Sequence, residues 1–156
     1  SADRYANYSA NVQTCYFTNM TPQINAFNGN IWGKLDDSVR NWAYKCDTLY
    51  VVTGCVYKDS KSYNKDNYGK QVTVPTGYFK TALRKSGDTY SACAVFLEHK
   101  AYSRSTFNKD DVLSIDELEK KTGIDFYVNL IDIVGKDKAD EIEAADPLKD
   151  SFWGIK

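Results

Sequence analysis

Asn19, Asn28, Asp36 and Arg40 fall within one stretch, "TNMTPQINAFNGNIWGKLDDSVR", and together they offer two amides, a carboxylate and a guanidinium. Amide and carboxylate oxygens suit a hard divalent cation, and a guanidinium recognises phosphate through a bidentate fork. A hydrated divalent cation with a phosphate beside it is the chemistry these residue types can serve. Each also has a plainer reading. Asn at a helix start is a common N-cap, and an Asp four residues before an Arg is an ordinary surface pair contributing a few tenths of a kcal/mol.

The element that must position them is a helix over Ile31 to Ala43. At 100° per residue from Ile31, the residues Ile31, Trp32, Leu35, Val39, Trp42 and Ala43 fall within roughly 120°, a core stripe. Asp36 and Arg40 fall at about 140° and about 180°, adjacent at the edge of that stripe, and Asn28 projects back to about 60°. One side of the helix thus carries an amide oxygen, a carboxylate and a guanidinium in sequence.

Around this helix the chain reads as interleaved strands and helices without repeats. "TCYFTN" (Thr14 to Asn19) predicts a first strand, and "TLYVVTGCV" (Thr48 to Val56) a buried central one. "SYNKDNYGKQ" is polar and turn-rich and predicts a loop. "YFKTAL" and "YSACAVFLEH" predict two strands joined through Gly87 as an antiparallel hairpin. Ser114 as N-cap, Glu117 closing a capping box and Gly123 as the stop predict a short helix. Phe152 and Trp153 are expected to pin the charged C-terminal stretch back on the core.

Composition narrows the partners little. Twenty Lys and Arg against 21 Asp and Glu in 156 residues leave a formal charge of −1, with no global pull toward nucleic acid or membrane. The length suits one domain over residues 1–156, and no apolar run approaches the ~20 residues that span a bilayer, so the chain reads as soluble. Cys15, Cys46, Cys55 and Cys93 form no C-x-x-C pair. Buried free thiols are the expectation, with disulfides the alternative in an oxidising compartment.

The stretch resembles the sugar-non-specific DNA/RNA endonucleases of the ββα-metal superfamily. Their pattern places Ser or Thr before Asn, then Pro-Gln, an Asn five residues on, Trp-x-x-Leu-Glu, and an Arg four residues after the Glu. This chain reproduces it with one change, Asp36 for Glu. "LYVVTG", "VPTGYFKTAL", "SIDELEKKTGIDF" and the closing "WG" are similar to family segments in family order. The resemblance implies an α+β fold: a mostly antiparallel sheet flanked by helices, its Thr14, Thr48, Tyr78 and Tyr90 strands beside the Ile31 to Ala43 helix. It also implies Mg²⁺ (or Mn²⁺) on Asn28 as sole protein ligand, Asn19 supporting the site, Asp36 holding a metal-bound water, Arg40 on the scissile phosphate, DNA and RNA as substrates, and a secreted, extracellular or periplasmic protein.

The second departure is larger. The family's Asp-Arg-Gly-His motif supplies the general-base histidine, and "SADR" follows it closely; here "SADR" is Ser1 to Arg4. The expectation is a C-terminal portion of the nuclease, inactive alone, that needs the N-terminal segment as a partner and has an incompletely covered sheet near Thr14 to Asn19. His99, the single histidine, reads as an exposed loop residue. The alternative is a catalytically inactive nucleic-acid-binding or structural module on the same fold. A weaker adhesion reading rests on tyrosines such as Tyr5, Tyr8, Tyr57, Tyr63 and Tyr68, for which packing on neighbouring loops is the plainer fate.

Overall fold

The computed structural model describes residues 7–16 and 20–155. Its main sheet has four antiparallel strands in the order β1 (Thr48–Val56), β4 (Gly77–Ser86), β5 (Thr89–Glu98), β6 (Val112–Leu113). A separate two-stranded hairpin, β2 (Tyr63–Lys65) with β3 (Gln71–Thr73), stands in the segment expected to be a loop. Its turn is built by Asp66, whose Oδ1 accepts from the Tyr68 and Lys70 amides at 2.8 Å each, so polar residues form the hairpin through local hydrogen bonding.

Strict alternation in β4 and β5 feeds two cores. Tyr78, Ala82, Cys93, Val95 and Leu97 face helix α2 (Gly33–Ala43) and the turn before it. Phe79, Leu83, Ala92 and Ala94 face α3 (Ile115–Thr122), α4 (Leu130–Val134) and α5 (Lys136–Ala144) on the other side. Helices therefore cover both faces of the sheet, in keeping with the α+β expectation. Ile31, Trp32, Leu35 and Trp42 are buried as the helical stripe requires, each contributing roughly 1.5–3 kcal/mol. Ala43 is exposed. The Gly87 hairpin and the Ser114–Glu117 capping box form as expected, with Gly123 left-handed at the helix end. The Trp42 indole donates to the Trp153 carbonyl at 2.9 Å, which fastens the C-terminal tail.

Three expectations are corrected. Thr14 does not open a strand: it ends helix α1 (Tyr8–Gln13), which Asn7 caps by accepting from the Ala10 amide, and its hydroxyl donates back to the Asn11 carbonyl. These side-chain bonds close a helical turn where strand propensity alone pointed the other way, and residues 17–19 lie outside the described residues. Strand β1 is an edge strand. Among the described residues it pairs with β4 alone, and Tyr50, Val51 and Val52 are exposed. Among the described residues the edge strand is thus Thr48–Val56, and the Thr14 to Asn19 expectation falls partly outside them. The four cysteines are free thiols, but Cys93 alone is fully buried, and burial holds it well above the ordinary thiol range. Tyr8, Tyr57, Tyr63 and Tyr68 are likewise exposed on the surface.

On the far face, Glu143 of α5 is half-buried among Glu119, Asp116, Asp125 and Asp140, and burial first, then these charges, push its carboxyl from 4.5 up to about 7. The folded state therefore binds a proton that the unfolded chain has released, and stability falls as pH rises from about 4.5 to about 7. Glu143→Gln should melt higher than the parent at pH 8 and lose that advantage below about pH 4.5, as followed by circular dichroism. An equal gain at both ends of the range would mean the carboxyl is not the cause.

Candidate metal and phosphate site

The loop that leads into the motif helix is fastened to the sheet by two side chains. The Tyr78 hydroxyl donates to the Pro22 carbonyl at 2.8 Å and accepts from the Thr21 hydroxyl at 3.0 Å. His99 Nε2 accepts from the Ile24 amide at 2.9 Å. Its proton is then on Nδ1, which donates to the Pro75 carbonyl at 3.0 Å. His99 is half-buried, with Phe27 and Tyr78 edge-on to its ring at 5.4 and 5.2 Å. It is therefore a strut between the end of β5 and the start of the helix, and not the exposed loop residue expected.

The helix itself starts at Ile24, whose carbonyl accepts from the Phe27 and Asn28 amides, both at 3.0 Å. Asn28 is thus inside the helix and is not its N-cap. Residues Phe27–Trp32 form a π-helical turn in which the Gly33 amide reaches back to the Asn28 carbonyl. The Asn28 side chain is exposed and makes no hydrogen bond with the described residues.

The π turn changes which residues share a face. Eight positions of uninterrupted α-helix would set Asn28 and Asp36 about 80° apart, and Arg40 about 120° away. A π turn absorbs one extra residue, so Asn28 and Asp36 stand like residues seven apart in an α-helix, about 20° from alignment. Arg40 comes equally close on the other side. The simple helical projection already puts these three groups on one side of the helix, and by helical phase the π turn narrows their spread from about 120° to about 40°. Asn19 lies outside the described residues.

Asp36 and Arg40 do not pair with each other. Asp36 Oδ1 meets the Lys80 ammonium at 2.9 Å, and Arg40 meets Asp37 at 3.0 Å on the solvent side. Lys80 is opposite Thr53 in the β1–β4 register and also donates to its hydroxyl at 2.9 Å, with its Nζ 4.6 Å from the Trp32 ring centre. The sheet face presents Lys80 to the helix, so Asp36 turns inward to it and Arg40 takes the neighbouring carboxylate.

A cleft of about 410 Å³ adjoins this cluster, lined by Trp32, Thr53, Gly54, Cys55, Tyr78 and the Met20–Gln23 loop. Gly54 is needed there because a Cβ would stand 2.4 Å from the Phe79 ring behind it. Burial raises the Tyr78 hydroxyl, which keeps it a donor to Pro22.

The chain thus combines an antiparallel sheet, a motif helix that carries Asn28, Asp36 and Arg40, and a cleft beside that helix. The family model of DNA/RNA non-specific endonucleases matches residues 1–132, and the chain belongs to that family. It is 29% identical over 140 residues to "Nuclease C1" of Cunninghamella echinulata var. echinulata, covering 83% of this chain and 55% of that protein. It is 30% identical over 138 residues to a nuclease of Nostoc sp., covering 83% and 48%. Among solved structures it is similar to endonuclease G in complex with its inhibitor, described as showing the mechanism of inhibition, with a TM-score of 0.60 and 25% identity over 73% of this chain and 50% of that one. The chain spans about half the length of these relatives.

Sequence reasoning missed Lys80 and the structural use of His99. The signal for Lys80 was present: in "GYFKTAL" the alternate residues Tyr78, Lys80 and Ala82 share a face, and a lysine in an apolar row needs a carboxylate. Nothing local in "FLEHKAY" marks His99, whose partner is 75 residues away. Replacing His99 with Ala removes the acceptor of the Ile24 amide, which should cost about 0.5–1.5 kcal/mol and speed hydrogen exchange at Ile24, Phe27 and Asn28. Unchanged denaturant midpoint and exchange would refute the strut.

Proposed function

We propose that these residues carry the metal-side half of an Mg²⁺-dependent (or Mn²⁺-dependent) endonuclease that hydrolyses phosphodiester bonds of both DNA and RNA. The observation that carries this reading is the π turn at Phe27–Trp32, whose phase favours Asn28, Asp36 and Arg40 sharing one helix face, with the Asn28 amide uncommitted to the described residues. Among the described residues no group of three or more His, Cys, Asp or Glu side chains could hold a metal. A cation at Asn28 would therefore keep most of its hydration, which fits Mg²⁺, a cation that dehydrates reluctantly.

When bound, the cation supplies charge neutralisation at the phosphate and the leaving oxygen. The chain's own residues do the rest. Asn28 presents the amide oxygen, and Asp36 lies where its second carboxylate oxygen can order hydration water. Arg40 is half-buried and meets the exposed Asp37 toward solvent, and such a pair is worth at most about 1 kcal/mol, so a phosphate can compete with Asp37 for the guanidinium. Contacts to phosphate carry no base information, which accounts for indifference to sequence.

The general base is a separate matter. Both His99 nitrogens are engaged by Ile24 and Pro75, and a positioned base contributes roughly 10²- to 10⁴-fold. We propose that the 156 residues alone do not cleave. A gene product that carries Asp-Arg-Gly-His upstream should do so. The second reading, a binding module without catalysis, is favoured by Asp36 in place of Glu.

Plasmid nicking and RNA degradation, with and without EDTA, separate these readings. The longer polypeptide should cleave both substrates, and its Asn28→Ala variant should lose about 10²-fold or more in rate while its melting temperature holds. Arg40→Lys should slow cleavage by keeping the charge and losing the fork. EDTA-sensitive cleavage by the 156 residues alone would place the base within them. Binding of nucleic acid without cleavage by either polypeptide would establish the binding module.

A further inference from the structure

We propose that Lys80 is the positioning residue of this site: its ammonium holds Asp36 by one oxygen, so that the other faces the cation's hydration shell. The inference rests on the reading of Asn28 and Asp36 given above. Lys80 stands in the row Tyr78, Lys80, Ala82 that packs under the motif helix, and its side chain is 11% exposed. An ammonium so sheltered loses several kcal/mol of hydration unless it is paired.

Three groups replace that water: the Asp36 carboxylate, the Thr53 hydroxyl across the strand pair, and the face of Trp32. Thr53 belongs to a different element from Asp36, and Trp32 is fixed in the core one turn earlier in the same helix. Trp32 is buried one turn before Asp36 and stacks on Phe27 at 5.6 Å, and Thr53 is fixed by register opposite Lys80. The ammonium is therefore held by the Thr53 hydroxyl and the Trp32 ring as well as by Asp36. Asp36 Oδ1 is taken by Lys80, and Oδ2 accepts no hydrogen bond from the described residues. Holding Oδ1 against the ammonium restricts the directions in which Oδ2 can point.

Two physical effects of Lys80 on a cation at Asn28 have opposite signs. As a bare positive charge it would repel the cation, and its removal would tighten binding. As a device that orients a carboxylate outside the ligand shell, its removal should weaken binding by about 10- to 100-fold. Removing the ammonium also leaves the Asp36 carboxylate unpaired and attractive to the cation, and on this proposal lost orientation outweighs that gain.

The test is Mn²⁺ affinity of the 156-residue chain, read from the electron paramagnetic resonance of free Mn²⁺, with melting curves as the check of folding. Lys80→Met keeps the stem and removes the ammonium; it should weaken Mn²⁺ about 10- to 100-fold, and Lys80→Arg should recover most of the loss. Because Lys80 acts through Asp36, the Lys80→Met/Asp36→Asn pair should bind no more weakly than Asp36→Asn alone. Affinity that is unchanged or tighter in Lys80→Met, or additive losses in the pair, would overturn the proposal while leaving Asn28 as ligand. Lys80→Gln serves the same comparison if Lys80→Met does not fold. Loss of binding in Asn28→Ala is the control. If that variant binds like the parent, or the parent binds no Mn²⁺, the metal reading itself fails and Lys80 falls with it.

Discussion

A lysine placed under a helix must find a counter-charge, and that constraint organises one side of this molecule. Lys80 occupies a row of β4 that otherwise buries Tyr78 and Ala82 against the motif helix. The helix answers with Asp36 and with the face of Trp32, and the neighbouring strand answers with Thr53. Each of these fixes something else. Trp32 stacks on Phe27, Phe27 packs on Tyr78 and His99, and those two residues tie down the loop from Thr21 to Ile24. The candidate site is thus coupled to the core through a few aromatic rings and one ion pair.

The helix meets this demand at a local cost. A regular α-helix that buried Phe27, Ile31 and Leu35 would leave Asn28 well off the Asp36 face. The π turn at Phe27–Trp32 inserts one residue of phase, so the apolar stripe and the polar stripe both keep their directions. π turns weaken the hydrogen-bond ladder and persist where the surroundings over-determine them. Here the buried rings of Phe27 and Trp32 supply that determination.

This explains which features were legible in the sequence. Strand β1 and the Gly87 hairpin, the Ser114 box and the burial of Ile31, Leu35 and Trp42 follow from local periodicity and punctuation, and all were found. The residue types of the site were legible through the spacing of the motif. What was not legible depends on tertiary register. The Asp36 partner comes from a strand 44 residues further on, set by the Thr53↔Lys80 pairing. The place of β1 at the sheet edge depends on which strands are present to flank it, and its apolar run reads the same in either position. The Thr14 segment failed for the opposite reason: side-chain capping by Asn7 and Thr14 is local, but strand propensity outweighed it in the reading.

The departure from the family pattern at position 36 takes on a different meaning in this setting. A carboxylate one methylene shorter reaches less far from the helix axis, and on an open surface it would fall short of anything ordered around Asn28. Asp36 is not on an open surface. Its reach is measured from an ammonium that the sheet holds in place, and its alignment with Asn28 is set by the π turn. At 2.9 Å from that ammonium, the shorter acid is long enough to reach the lysine that the sheet presents under the helix.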